Sequence, residues 1–397
     1  MIAHPDTETA TPSLAPLFVA SIVCSMGLMG FVAVAGPLAD LIGLKAWQIG
    51  LTATAGGLGW VLTARAWGRA ADRYGRKRIL VLGLVFFIVA YMLLCLAAHS
   101  AIAYGLPPMI ALAGLIATRF GMGITYSAIP AASTAVIADH YDATTRAGAL
   151  GRLGAAQSSG LLLGPALVFA LAGPSPALTL FILALLPMPA LAFLATRLPN
   201  DAPSQAKPAP QLPLRDPRIV RSVGAAFTAL IAIGIAQITI GFVAIDRLGL
   251  SNEAAQRLAG GALAAVGVSL IAAQLTVKKL GWSAERLMRV GALVSAVGFA
   301  AAAFAPTALT LVMTYVVAGF GAGWAFPAIS TLAANAVDAD EQGRAAGTVS
   351  SAMGLGAMIA PLIGGTLYEF ASAFPYLIGA VAMAAIAIIV GRERAEN

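Results

Sequence analysis

The chain has 397 residues, of which 59% are hydrophobic and only 10% are Asp, Glu, Lys or Arg. This composition, with a mean hydropathy of +0.88, excludes an ordinary soluble domain and indicates a membrane protein. The net charge of +7 does not indicate nucleic-acid binding, because the bases lie between apolar runs instead of along a solvated face.

The first apolar run covers residues 9–39 and follows a segment that contains two acids and no base. A secretory signal peptide has a shorter apolar core with bases in front of it. We therefore expect the run to remain as the first membrane helix.

Gaps of about 20 residues between charges locate the membrane helices, because a charge at mid-bilayer costs about 3 kcal/mol. Single helices are predicted in seven gaps: 9–39, 46–64, 79–98, 222–245, 258–277, 345–368 and 370–391. Proline-containing breaks divide two longer gaps, 153–196 and 290–337, into helical hairpins, at Gly173-Pro174-Ser175-Pro176 and Ala305-Pro306-Thr307. One more helix, from about residue 108, brings the number to twelve.

The bases lie mainly on one side of this arrangement. Twenty of the 24 Lys and Arg residues fall in its loops or termini, three lie on the other side, and Arg119 lies within the fourth helix. Short cytoplasmic loops are rich in Lys and Arg, so the basic side and both termini are expected to be cytoplasmic.

The chain also repeats itself. Three motifs reappear in the same order at offsets of 200, 198 and 196 residues: FGMG at 120–123, RAG at 146–148 and GLLLGP at 160–165. A polar, proline-rich segment lies between the copies. We predict a first six-helix bundle over 1–196, a cytoplasmic linker over 197–218 and a second bundle over 219–397.

Five bases and one acid are gathered in the segment GRAADRYGRKR, residues 68–78, between the second and third helices. With the twelve helices and the repeat, this segment resembles the major facilitator superfamily. The superfamily's loop motif, G-x-x-x-D-R-x-G-R-K/R, is matched by Gly68, Asp72, Arg73, Gly75, Arg76 and Lys77, although Ala70 replaces its usual Leu. The resemblance covers nearly the whole chain and implies an all-α fold of two pseudo-symmetric bundles.

The resemblance also implies that Asp72 faces the positive end of the eleventh helix and that Arg76 pairs with Asp139 at the end of the fourth. We call Gly68, Asp72, Arg73, Gly75, Arg76 and Asp139 the latch. It is expected to join the two bundles when the cytoplasmic side is closed and to part when that side opens. A simple lipid-contacting anchor is the alternative, but it requires neither the acid nor the spaced glycines.

Two further motifs resemble those of proton antiporters. Arg119 and Gly123 match R-x-x-x-G, and Arg119 lies about 17 Å from the start of its helix, near mid-bilayer. There it is expected to serve proton coupling or an anionic substrate, unless it only bonds backbone carbonyls. Gly160, Gly164 and Pro165 match the start of G-x-x-x-G-P-x-x-G-G, but Val168 and Phe169 replace its last glycines. Ordinary helix packing explains this spacing almost as well.

The predicted helix interiors contain no carboxylate. Asp40, at an external end, is the best candidate for a proton carrier, although a solvated loop acid is an equal alternative. A permissive central cavity is predicted from flexible and aromatic side chains, each of which packing also explains: Met26, Met29, Tyr126, Gln157, Gln237, Trp324, Phe326 and Met353.

These features predict a proton-coupled exporter of small neutral, zwitterionic or anionic amphipathic molecules, working by alternating access. It is expected to be a monomer in the bacterial inner membrane that contacts lipids and binds neither nucleic acid nor a cofactor or metal. No catalytic constellation is visible, so an enzyme is not expected. There are two alternatives: a dedicated exporter of an anionic metabolite or siderophore, and an uncoupled uptake facilitator.

Overall fold

The computed structural model describes residues 13–141, 143–173, 175–199, 212–338 and 341–391. When a helix with a local break is counted once, these ranges contain twelve helices and no strand. The first six are α1 Ala15–Ile42, α2 Ala46–Tyr74, α3 Arg76–Ala103, α4 Pro108–His140, α5 Ala143–Ala170 and α6 Pro176–Arg197. The other six are α7 Val220–Arg247, α8 Asn252–Leu280, α9 Ala284–Ala302, α10 Ala308–Asn335, α11 Gln342–Phe370 and α12 Phe374–Gly391.

The predicted all-α fold with twelve helices is confirmed. In the described part of the chain, nine helices are long and apolar enough to cross a membrane, and α12 is a shorter apolar helix. The other two helices are α2 and α9. Each carries charged residues at the end next to a basic loop, including Asp72 in α2 and Glu285 in α9. Pro174 and residues 200–211 of the predicted linker lie outside the described residues.

Local sequence signals explain the helix ends. The side chains of four residues before helix starts each accept a backbone N–H three residues later: Ser175, Ser251, Ser283 and Thr307. Glycines in the left-handed region end α1 and α8, at Gly43 with φ 75° and Gly281 with φ 59°.

Proline accounts for two breaks within helices. The break in α4 falls at Ser127, because Pro130 has no N–H to donate to the carbonyl one turn earlier. A similar break in α6 precedes Pro187. The last five residues of α7, Val243–Arg247, form a π-helical turn.

The two halves pack in the same way. In the first half α1 packs on α5, α2 on α4, and α3 on α4 and α6. In the second half the equivalent pairs are α7 with α11, α8 with α10, and α9 with α10 and α12. The bundles meet mainly where α2 packs on α11 and α5 on α8, with α1 also contacting α7 and α8.

We call the end of the molecule with the basic segment 68–78 the linker end, and the end with the α1–α2 turn the far end. Close contacts between bundles lie toward the far end, where the backbones of α1 and α7 meet at Gly36 and Gly241. On the linker half of α5, a methyl group built on Gly148, Gly151 or Gly154 has no neighbour within 4 Å. The conformation is therefore closed at the far end.

Candidate functional site

The latch residues form a connected ion-pair group at the linker end. The Arg76 side chain is only 4% exposed and contacts both the Asp72 carboxylate, one turn earlier, and Asp139. Its Nε lies 3.1 Å from Asp139 Oδ2. This group joins the start of α3 to the ends of α2 and α4, so the expected Arg76–Asp139 pair is present within the first bundle.

In the described ranges, no ion pair or hydrogen bond joins the same group to the second bundle in this conformation. Asp72 contacts Arg76 instead of α11, and Arg73 lies over the ring of Tyr74, 5.2 Å from its centroid. Gly68 has no neighbour within 4 Å of a built methyl group, so it makes no close helix contact in this conformation. Gly75 instead forms the tight connection from α2 to α3, where its φ of 93° is a conformation that glycine adopts readily.

Arg119 lies deep in the first bundle, on the face of α4 that packs against α2. One turn later, Gly123 lies so close to the Gly56 carbonyl that no side chain fits between the helices. Because residues four apart share a helix face, Arg119 is brought against α2 as well. A methyl group built on Gly56 would lie 3.5 Å from an Arg119 terminal nitrogen. The R-x-x-x-G spacing thus combines close helix packing with an interior charge.

The surroundings of this guanidinium are apolar and polarizable. Arg119 is 5% exposed, and its Cζ lies 4.3 Å from the centroid of the Phe31 ring, a cation–π geometry. One terminal nitrogen lies 4.0 Å from Met122 Sδ, and the buried Nε has no hydrogen-bond partner among the described residues. In the described ranges no carboxylate forms a salt bridge with Arg119, so none of those acids neutralises its charge.

The antiporter-like motif on α5 faces two directions. Methyl groups built on Gly160 and Gly164 would overlap the carbonyls of Ile22 and Met26 on α1, so these glycines serve packing inside the first bundle. The carbonyl of Pro165 faces Gly260 of α8, in the second bundle. Phe169 lies against Gly260 and Gly261, so α8 supplies the small residues that the end of the α5 motif lacks.

This α5–α8 seam has a pseudo-symmetric counterpart between α2 and α11. There Gly50 abuts the carbonyl group of Pro361, and a methyl group built on Gly50 would lie 2.8 Å from its carbon atom. Farther along, Gly57 faces Met358 just as Gly267 faces Leu162 in the other seam. The two seams close the far end, and glycine makes backbone contact possible in both.

The structure gives local partners to some of the predicted cavity residues. Tyr126 is buried, lies 3.5 Å from Ser25 Oγ and packs edge-on against Trp60. Trp324 donates its indole N–H to Thr276 Oγ1 at 2.9 Å, so it helps to hold α10 on α8. The remaining six are half-buried: Met26, Met29, Gln157, Gln237, Phe326 and Met353. Their role in substrate binding stays a prediction.

A cluster that the sequence did not reveal lies at the far end. Asp40 accepts a hydrogen bond from the Asn252 side chain at 2.9 Å, and Glu369 accepts one from the backbone N–H of Ala46, also at 2.9 Å. Both bonds cross between the bundles. Asp40, Asp246 and Glu369 line one cavity of about 310 Å³. These acids are far apart in sequence and sit at ordinary helix ends, so no local pattern marks them as neighbours.

Comparison with known proteins agrees with this architecture. The family model described as Major Facilitator Superfamily matches residues 17–286 and 282–396. The chain belongs to the major facilitator superfamily. It is a transporter embedded in a membrane, and neither the family nor its structural neighbours are enzymes.

Relatives within the superfamily differ in name. The chain is 28% identical over 335 residues to multidrug resistance protein 1 of Bacillus subtilis, covering 80% of this chain and 79% of that one. It is 38% identical to a triacylglyceride transporter of Mycobacterium tuberculosis over 108 residues, which span 27% of this chain and only 19% of the relative. A crystal structure of a D-xylose–proton symporter matches with a TM-score of 0.72 at 16% identity, covering 94% of this chain and 96% of that one.

Proposed function

We propose that this superfamily member exports small amphipathic molecules, neutral, zwitterionic or anionic, in exchange for protons. The observation that carries the substrate class is Arg119, a buried cation that pairs with no acid in the described ranges and lies against Phe31 and Met122. A cation held in an interior among apolar groups attracts an anionic or zwitterionic ligand with apolar parts. The similarity to a multidrug resistance protein supports export of varied compounds.

Alternating access follows from how the bundles meet. The two glycine seams close the far end, while the latch pairs within the first bundle and, among the described residues, forms no ion pair with the second. In the opposite state the seams would separate and the latch would meet α11. With the basic linker end placed in the cytoplasm by the positive-inside rule, the present conformation faces inward. The boundaries 1–196, 197–218 and 219–397 remain our proposal for the moving units.

The test is transport by purified protein in liposomes, with a pH-sensitive dye inside. Addition of an anionic or zwitterionic amphiphile should drive protons in the direction opposite to the substrate, and a pH gradient should accelerate substrate movement. Arg119→Ala protein, reconstituted in parallel, should move neither. Equal substrate movement with and without the gradient would instead show an uncoupled facilitator.

The breadth of substrates separates the proposal from a dedicated exporter. A binding screen should find many ligands of modest affinity that compete with one another. A single tightly bound anionic metabolite or siderophore would favour the alternative.

A further inference from the structure

The last turn of α11 places a carboxylate on the first backbone amide of α2. Glu369 Oε1 accepts the Ala46 N–H at 2.9 Å, although the two residues are 323 positions apart and belong to different bundles. Ala46 is the first residue of α2, and such amides have no partner within their own helix. A negative charge also stabilises the positive end of a helix. Glu369 therefore caps a helix of the opposite bundle.

Small residues bring this carboxylate within reach. Pro361, Gly365 and Glu369 are spaced four apart on α11, so they share one face. Pro361 abuts Gly50, and a methyl group built on Gly365 would lie 2.6 Å from the Ala46 carbonyl carbon. The cap is thus a direct extension of the α2–α11 seam.

The pseudo-symmetric seam has no such carboxylate. The sequence offset between Gly50 and Gly260 makes Gln256 the equivalent of Ala46. The offset between Pro165 and Pro361 makes Gly173 the equivalent of Glu369. There the fully buried Gln256 donates to Thr179 Oγ1 at 2.9 Å, a bond between two neutral side chains across the bundles. Among the described residues, this position of the α5–α8 seam therefore has a neutral acceptor, whereas the equivalent position of the α2–α11 seam has a carboxylate.

Glu369 is exposed and faces the far-end cavity, so protons on that side reach it. The charged and titratable groups that face this cavity are Asp40 from α1, Lys45 before α2, Asp246 from α7 and Tyr368 beside Glu369. Of these groups, Lys45 is a base, and Asp40 and Asp246 are acids. These two acids already accept bonds from Asn252 and Tyr368, each at 2.9 Å.

We propose that Glu369 is a positioning residue that makes closure of the far end sensitive to protons on that side. The ionised carboxylate caps α2 and holds the bundles together, and protonation removes the charge that makes this bond strong. A charged acceptor is about twice as effective as a neutral one, so protonation should raise the ratio of open to closed far ends about fivefold. The proposal rests on the proposed exchange of substrate for external protons, because proton entry would then begin with far-end opening.

The test measures the opening directly, without substrate. Spin labels at Tyr104→Cys and Phe304→Cys report on the two bundles at the far end, where these side chains are 79% and 72% exposed. Native Cys24 and Cys95 are buried, which restricts labelling to the introduced sites. Distance distributions are recorded by electron–electron resonance in nanodiscs, between about pH 7.5 and about pH 3, which brackets the ordinary range of a Glu carboxyl.

Wild-type protein should gain a longer distance as the pH falls. Glu369→Gln protein should show the longer distance throughout, with no pH step. Asp246→Asn protein should keep the step. Gln256→Leu protein should be more open at every pH and also keep the step, because its seam loses a neutral bond while Glu369 remains.

A full pH step in Glu369→Gln protein, or no step in wild-type protein, would overturn the proposal. Loss of the step in Asp246→Asn protein alone would do the same and assign it to that acid. Because the labels report without transport, a pH-dependent opening without proton exchange in liposomes would refute the proposed function and leave this inference standing.

Discussion

Gly260→Ala tests whether the glycine seams close the far end. The added methyl group would lie 2.6 Å from the Phe169 nitrogen and 2.7 Å from the Pro165 carbonyl oxygen, both of which are backbone atoms. Ordinary contact begins near 3.4 Å, so α5 and α8 must separate by about 0.8 Å. Overpacking of this kind costs about 1 to 3 kcal/mol.

The intrinsic preference of Ala over Gly for helix is worth about 1 kcal/mol, but α8 is a helix in both conformations. This gain therefore cancels in the equilibrium between open and closed far ends, which should shift toward open by about 5- to 150-fold. The spin-label pair at positions 104 and 304 measures the shift. The matched control is Gly154→Ala on α5, where a methyl group meets no neighbour within 4 Å. If Gly260→Ala and Gly154→Ala give the same distance distribution, the seam does not control closure.

Three further predictions concern the interior charge, the latch and the linker end. Arg119→Ala should abolish coupled transport, and Arg119→Lys should retain part of it if charge alone matters; unchanged substrate flux in both would leave only a packing role. Asp72→Asn should lower the transport rate by weakening the state closed at the linker end while the far-end distances stay closed, and full activity would remove the latch role. A hydrogen bond from Arg218 lowers the pKa of Glu341, whose Oε2 lies 2.5 Å from Arg218 Nη1. Because a lowered acid pKa contributes stability only while the acid is ionised, Glu341→Gln should lower the melting temperature near neutral pH. The difference should shrink as the pH falls below about 4 and vanish once the pH lies below the lowered pKa of Glu341; a constant difference would contradict this.

Periodic and compositional signals in the sequence predicted the architecture. The twelve helices followed from the cost of placing charge in a bilayer, and the breaks near residues 173–176 and 305–307 followed from proline. The Arg76–Asp139 contact was expected from the family motif, since such a motif records a three-dimensional neighbour. The motif did not predict that Asp72 contacts Arg76 in this conformation, because the same motif residues serve two alternating states.

The amino-acid sequence by itself determined that this protein is a duplicated bundle of membrane helices with one interior base, because the cost of placing charge in a bilayer acts on each segment separately. Only the tertiary structure decided which residues meet across the bundles. Glu369 caps Ala46, and Gly260 and Gly261 receive Phe169, across sequence separations that no local pattern encodes. Such contacts depend on how two rigid bundles are oriented, and that orientation is set by the sum of packing along both seams.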